Sequence, residues 1–349
     1  MDIMDRLMIT TATFFTLCII ITIIVPWTEA AGESTGNGLR VGFYSHSCPN
    51  VEKIVADIVS KAHQDDLKLP AALIRFFSHD CLVKGCDASI LLDATASHEP
   101  VEKQAQASEM LRGYELIDEI KDRVEQECPQ TVSCADILAF AAREAVFLAG
   151  LPRHMVPAGR RDSRTSRASD ITIPNPTTPF DEIIDYFSRR GITIDEMVVL
   201  SGAHSIGIAH CSFFDYRLYT FKNDQPQDPA LNASYASELS KTCPKPNTLN
   251  PAEAKQRAVE LDPTTPLVLD NHHYLNLLQG KALLQSDQTM VTDPRTSGLV
   301  QQFALDPESW ARRFAKAMIK MGRTNVLTGN VGEIRKNCRA INYDEQFSF

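Results

Sequence analysis

Eight cysteines behind an apolar leader constrain the fold of this chain more than any other feature. They are Cys48, Cys81, Cys86, Cys128, Cys134, Cys211, Cys243 and Cys338; a ninth, Cys18, lies inside the leader. Met8 to Trp27 is almost wholly apolar, and Thr28-Glu29-Ala30 then places small residues where a signal peptidase cuts. Residues 1–30 are therefore predicted to be a secretory signal, cleaved near Ala30 or Ala31. The segment before it holds Asp2 and Asp5 beside Arg6. The apolar run is also long enough to span a bilayer, so an uncleaved leader would act as a membrane anchor. Thiols exported to an oxidising compartment pair, and an even set predicts four disulfides stapling residues 31–349. A zinc module is the rival reading, but no C-x-x-C pair occurs, and the spacings match none. The net charge of −9 and the lack of a basic patch exclude nucleic acid as a partner.

Hydrophobic spacing makes the fold class mostly α. Helices are predicted over Val51–Asp65, Leu69–Val83, Gly113–Glu127, Ser133–Ala149, Pro179–Arg189, Thr193–Ser201 and Cys211–Tyr219, then over Asn232–Lys241, Asn271–Leu278, Ser297–Ala304 and Asp306–Met321. Pro70 falls in a first turn, where proline is tolerated, and Ser133 and Thr193 are predicted N-caps. Alternating strand patterns are scarce. Asn232-Ala233-Ser234 is the one usable glycosylation sequon, because proline follows Asn175.

Four stretches carry chemistry. In the helix from Leu69, Arg75 and His79 stand four residues apart and so share a face. A neutral imidazole and a fixed cation aimed at one spot can take a proton and stabilise the anion that forms. Asp80 to Ser89 packs two carboxylates, a glycine turn and a serine into ten residues, closed by Cys81 and Cys86. Such a loop suits a hard, oxygen-seeking cation. Asp262 to Asp270 offers two carboxylates and Thr265, a second cradle of the same kind. His204 follows a predicted helix end among small residues. Asp287, in Gln285-Ser286-Asp287-Gln288, reads as part of a solvated turn.

The segments RFFSHDCLVKGCDASILLD, ELIDEIKDRVEQECPQTVSCADILAFAAREAVFLAG, GRRDS, VVLSGAHSIGIAHC, PLVLDNHHYLNLL, LLQSDQ and EIRKNCRAIN occur in that order. From about Phe43 to Asn342 the chain resembles the secretory plant haem peroxidases of class III. The resemblance implies two helical lobes, a distal one of about residues 32–170 and a proximal one of about 171–349, sandwiching haem b. It implies His79 as distal acid/base, Arg75 as its cationic partner and His204 as iron ligand, with Asp287 accepting the other N–H of that ligand. A distal calcium site is implied at Asp80, Val83, Gly85, Asp87 and Ser89, with Val83 and Gly85 giving backbone carbonyls. A proximal one is implied at Ser205, Asp262, Thr265, Val268 and Asp270. The implied disulfides are Cys48–Cys128, Cys81–Cys86, Cys134–Cys338 and Cys211–Cys243. Asp136 with the Arg160-Arg161 pair matches a buried structural ion pair. Pro174 matches a proline where aromatic donors dock, and Phe213 a residue near the haem edge. Hydrogen peroxide and small phenolic donors are the implied partners. A secreted monomer of the apoplast or cell wall is the implied setting.

Three positions depart from the family pattern. Ser78 stands where phenylalanine is usual before His79, which leaves a roomier distal side unless Phe76 or Phe77 fills it. Ser108 stands where an asparagine usually accepts the N–H of the distal histidine, with one residue fewer before Leu111-Arg112-Gly113 than in many members. Ser108 is expected to take over as a shorter acceptor, with slower peroxide activation. His154 replaces the usual internal tryptophan. The remaining histidines, His272 and His273 included, are expected on the surface or in loops. Ser78 and Ser108 together support the one rival from another class, a secreted calcium-stabilised protein of this fold with weakened turnover.

Overall fold

Several helices of this chain begin where a side chain or a proline answers the unpaired N–H groups of a first turn. The computed structural model describes residues 38–342 apart from 246–247, 249–252 and 254–255, so the predicted signal segment lies outside the described residues. Among the described residues there are twelve α-helices. They are α1 Val51–Asp65, α2 Leu69–Cys81, α3 Tyr114–Glu127, α4 Cys134–Leu148, α5 Phe180–Ser188, α6 Ile194–Ser201, α7 Asp215–Tyr219, α8 Ala233–Thr242, α9 His272–Leu278, α10 Gln285–Thr289, α11 Ser297–Leu305 and α12 Pro307–Met321. A short antiparallel ribbon, β1 Ile208–His210 with β2 Ala258–Glu260, sets Ile208 opposite Glu260. The fold is mostly α, as predicted.

The caps account for the register of these helices. Ser133 Oγ accepts from Asp136 N at the start of α4. Thr193 and Glu196 exchange side-chain and backbone bonds in a capping box before α6. Asn232 accepts from the backbone of Ser234 and Tyr235 before α8, and Asp306 accepts from Ser309 N before α12. Two elements differ from expectation. The predicted helix 211–219 is broken at Phe214 into a 3-10 turn, Cys211–Phe213, and α7. The segment read as a solvated turn is α10, with Asp287 and Gln288 buried. Five residues are too few for a periodic pattern to show.

Helix α4 is the centre of the larger core. Cys134 to Val146 is buried on all sides, as a helix must be when it is apolar all round. Helices α1, α2 and α3 pack against it. Full burial of Ile137, Leu138, Phe140 and Val146 contributes roughly 1.5–3 kcal/mol for each side chain. This core continues without a break through α5, α6, α9, α11 and α12. A second, smaller core joins the ribbon, α7 and α8 around Cys211 and Cys243. The disulfides are Cys48–Cys128, Cys81–Cys86, Cys134–Cys338 and Cys211–Cys243. Asp136 pairs with Arg160 at 2.7 Å and also accepts from Tyr44 Oη at 2.7 Å. Arg161 instead donates to Gly332 O at 3.2 Å, so only one arginine of the pair serves Asp136.

Candidate active site

Helix α2 presents Arg75 and His79 one turn apart. His79 Nδ1 lies 3.1 Å from Arg75 O, and a carbonyl can only accept, so Nδ1 carries the proton. That leaves the Nε2 lone pair free as a base, 3.5 Å from Arg75 Nη2. Burial and then the Arg75 charge push the His79 pKa down to about 3, so the ring is neutral at ordinary pH. Arg75 Nη2 also donates to Ala107 O at 3.2 Å, which aims the guanidinium. Ser78 Oγ donates back to Arg75 O at 2.8 Å.

The second histidine sits on the 3-10 turn Gly202–Ser205, directly after α6. Trp310 anchors the end of α6 by donating Nε1–H to Val199 O at 3.1 Å. It packs so closely that a Cβ on Gly202 would come within 2.5 Å of that nitrogen. His204 Nδ1 meets Asp287 Oδ2 at 2.7 Å, across 83 residues of sequence. Asp287 is carried by α10, which Ser286 N ties to Pro176 O at 3.1 Å and Gln288 Nε2 to Leu277 O at 2.9 Å. Burial alone would lower the pKa of His204 and raise that of Asp287. Their mutual charge and hydrogen bond outweigh it, so His204 is raised and Asp287 lowered. With Nδ1 committed to Asp287, Nε2 is the donor atom left on His204. The His204 side chain is 39% exposed. The Arg75 charge also acts on His204 and opposes its protonation, so the distal cation lies within electrostatic reach of this ring.

Two oxygen-rich clusters flank these rings. Next to His79, Asp80 accepts from Ala88 N at 3.1 Å through Oδ2, and its Oδ1 is buried without a partner. Asp87 accepts from Ser89 N at 3.0 Å, and Ser89 Oγ donates to Glu102 Oε2 at 3.1 Å. Glu102 Oε1 is likewise buried and unpartnered. Burial, followed by the charge of Asp87, raises Asp80 well above its usual value and lifts Glu102 to about 8. Asp87 is raised too, again chiefly by burial. Crowded buried carboxylates with orphaned oxygens fit a divalent cation. Val83 O accepts from Arg190 Nη2 at 3.1 Å. Gly85 holds φ +150°, and a Cβ there would lie 2.4 Å from Asn325 O. Next to His204, Ser205 Oγ accepts from Asp270 N at 3.1 Å. Thr265 Oγ1 lies 3.1 Å from Asp262 Oδ2 and 2.9 Å from Asp270 Oδ2. Val268 N donates to Thr265 O at 2.9 Å, closing the same loop.

Residues 55–306 match the family model described as Peroxidase. Peroxidase 5 of Vitis vinifera is 44% identical over 306 residues, 87% of this chain and 92% of that protein. Peroxidase 72 of Arabidopsis thaliana is 42% identical over 312 residues, covering 88% and 91% of the two chains. Peroxidase 1 of Zea mays is 42% identical over 309 residues, 87% of this chain and 83% of that one. The chain belongs to the class III peroxidase family. The family implies a haem cofactor, and the chemistry of His79 and His204 fits one. They offer an unprotonated base and a carboxylate-supported imidazole.

For a peroxidase site, several residues stand elsewhere than expected. Ser108 does not reach His79: its hydroxyl is buried without a hydrogen-bond partner. The shortened loop forms a 3-10 turn, Gln106–Ser108, and brings the backbone of Ala107, not the side chain at 108, to Arg75 and His79. The carbonyl of Arg75 holds the His79 tautomer instead. Neither neighbour replaces the missing ring at Ser78. Phe76 packs on Tyr114 at 4.5 Å between centroids, and Phe77 lies beside Arg160 and Gly322. His154 borders that same small cavity of ≈ 10 Å³. Burial and then Arg143 hold its pKa down at about 4.

His273, expected on the surface, is buried at 5% exposure. Its ring lies edge-on to His204 at 5.9 Å between centroids, and its Nε2 has no partner. No sequence signal separated it from its half-buried neighbour His272 beyond helical phase. Pro174 is half-buried on the loop that Ser286 joins to α10. Phe213 is 41% exposed. Asn232 is exposed and serves as the cap of α8.

Proposed function

We propose that this chain is a secreted haem peroxidase that reduces hydrogen peroxide to water and oxidises small phenolic donors one electron at a time. The observation that carries the reading is a pair of differently prepared imidazoles, His79 neutral with Nε2 unprotonated and His204 bound to Asp287. A haem held there supplies the redox chemistry, giving two electrons to the peroxide and recovering them singly from donors. His79 Nε2 takes the proton from one peroxide oxygen and returns it to the other as the O–O bond breaks. The Arg75 guanidinium, already aimed by Ala107 O, stabilises the negative charge that develops on the departing oxygen. His204 is the residue to hold the iron through Nε2. Asp287 fixes its orientation and strengthens it as a donor by drawing on the Nδ1 proton.

The finer assignments follow from the family resemblance together with these contacts. The cofactor is haem b, seated between a distal lobe of about residues 32–170 and a proximal lobe of about 171–349. Two calcium ions occupy the clusters at Asp80, Val83, Gly85, Asp87 and Ser89, and at Ser205, Asp262, Thr265, Val268 and Asp270. Asp80 adjoins His79 and Ser205 adjoins His204, so each ion braces one of the two histidines. Aromatic donors dock near Pro174, whose loop is tied to α10. Asn232 carries glycan. The mature chain is a monomer of the cell wall or apoplast, released from residues 1–30.

Weakened turnover is not favoured. The Arg75–His79 and His204–Asp287 pairs are intact, and the backbone supplies the acceptor that Ser108 does not. Replacing His79 by leucine tests the assignment. Turnover with a phenolic donor should fall by about 10²–10⁴-fold, with the haem absorption retained. A variant that keeps wild-type turnover removes His79 from the mechanism.

A further inference from the structure

His272 opens α9 beside the proximal cluster, where an all-oxygen site would have no nitrogen. Its backbone N donates to Asp270 Oδ1 at 2.9 Å, and its ring Nδ1 lies 3.1 Å from Asp270 Oδ2. Asp262, Asp270 and His272 each offer one ligand atom, and these atoms all lie within 4.8 Å of one another. Asp262 is fully buried. Its Oδ1 is taken by Thr264 N at 2.6 Å, Thr265 N at 3.3 Å and Asn276 Nδ2 at 3.0 Å, which leaves Oδ2 for the cluster. The single hydroxyl proton of Thr265 faces an oxygen of both carboxylates and can satisfy one at a time. Among the described residues, neither carboxylate is ion-paired to a lysine or arginine. The side chains of Asp270 and His272 are 23% and 34% exposed, so an ion can enter from solvent.

Donor chemistry decides which ion. Calcium takes oxygen ligands, six to eight of them, in loose geometry. An imidazole nitrogen favours zinc, copper and nickel, which bind two carboxylates and one imidazole with fewer ligands. The 3.1 Å separation of His272 Nδ1 and Asp270 Oδ2 matches an octahedral edge between two ligands each about 2.1–2.2 Å from one ion, and is a few tenths of an ångström short of a tetrahedral one. We propose that the proximal cation site of this peroxidase is a mixed nitrogen–oxygen site that binds a divalent transition-metal ion through His272, in competition with calcium. The proposal rests on the reading of Asp262 and Asp270 as cation ligands. Because Asp270 is bonded to Ser205, beside His204, the identity of the ion is felt by the segment that carries the proximal histidine.

The test uses the haem-loaded mature protein, freed of divalent ions by chelation and titrated with zinc chloride or calcium chloride by calorimetry. Bound metal is counted after dialysis. Wild type, His272→Gln and Asp270→Asn are compared, each checked for an unchanged haem absorption band and helical circular dichroism. The expected result is a zinc ion that His272→Gln binds at least tenfold more weakly, while its calcium affinity stays within about threefold of wild type. Asp270→Asn should lose both ions from this site. If His272→Gln holds zinc as tightly as wild type, the mixed-donor site is wrong and the pair is a plain His–Asp contact. If Asp270→Asn keeps the wild-type calcium count, the underlying reading of the cluster as a cation site fails, whatever zinc does.

Discussion

Ser108, His154 and His273 are the residues at which side-chain identity and side-chain role parted. Arg75 and His79 were legible as a cation and a base one helical turn apart, whereas the role of His204 came only with the family resemblance. Ser108 was misjudged because an acceptor for His79 was sought among side chains, and the backbone can do that work. Since its hydroxyl has no hydrogen-bond partner, Ser108→Ala should leave the rate of the first reaction with peroxide within about twofold of wild type in stopped flow. Loss of an acting acceptor would cost about 1–3 kcal/mol, roughly tenfold or more. His154 has a different consequence. In the folded chain it titrates at about 4, against about 6.5 when unfolded. Between those values the unfolded chain binds a proton that the folded chain refuses. Stability is therefore present above about pH 6.5 and is lost as pH falls toward 4, by up to about 3 kcal/mol. His154→Gln should flatten that part of the stability profile in denaturant unfolding measured from pH 7 to 4. An unchanged difference between the two proteins across that range would contradict the assignment.

At the scale of elements, helix periodicity and caps carried most of the reading. Amphipathic stretches of a dozen residues announce themselves, and Ser133, Thr193 and Asn232 cap where their side chains permit. Helix α10 was missed because five residues hold barely more than one turn. With it went the burial of Asp287, the partner of a histidine 83 positions away. No local pattern encodes such a pairing, which arises when Pro176 and Leu277 dock the short helix. The loop after α2 is the converse case, since a glycine, two carboxylates and a serine within ten residues already suggest a cation cradle in the sequence. Gly85 there needs a positive φ and leaves no room for a Cβ against Asn325 O. Gly85→Ala should cost about 2–4 kcal/mol and weaken calcium retention on dialysis. A variant with wild-type melting temperature and calcium content would show that the turn is slack.

For the whole molecule, four disulfides were expected from cysteine parity and an export signal, whereas their pairing came only with the family resemblance. Cys134–Cys338 spans 204 residues, and joins the start of α4 to the end of the described chain. In the entropic view it restricts the unfolded ensemble more than the other three. The boundary between the proposed lobes does not divide the hydrophobic core, because α4 in one and α6, α9 and α12 in the other share it. The cofactor proposed between His79 and His204 would therefore be held by helices that share one core. That arrangement is the central claim, and absorption of the purified mature protein in the Soret region tests it most directly. The account predicts a haem band that shifts on mixing with stoichiometric hydrogen peroxide, and a shift at least a hundredfold slower in His79→Leu. A protein that binds no haem when it is supplied, or whose band ignores peroxide, would contradict it.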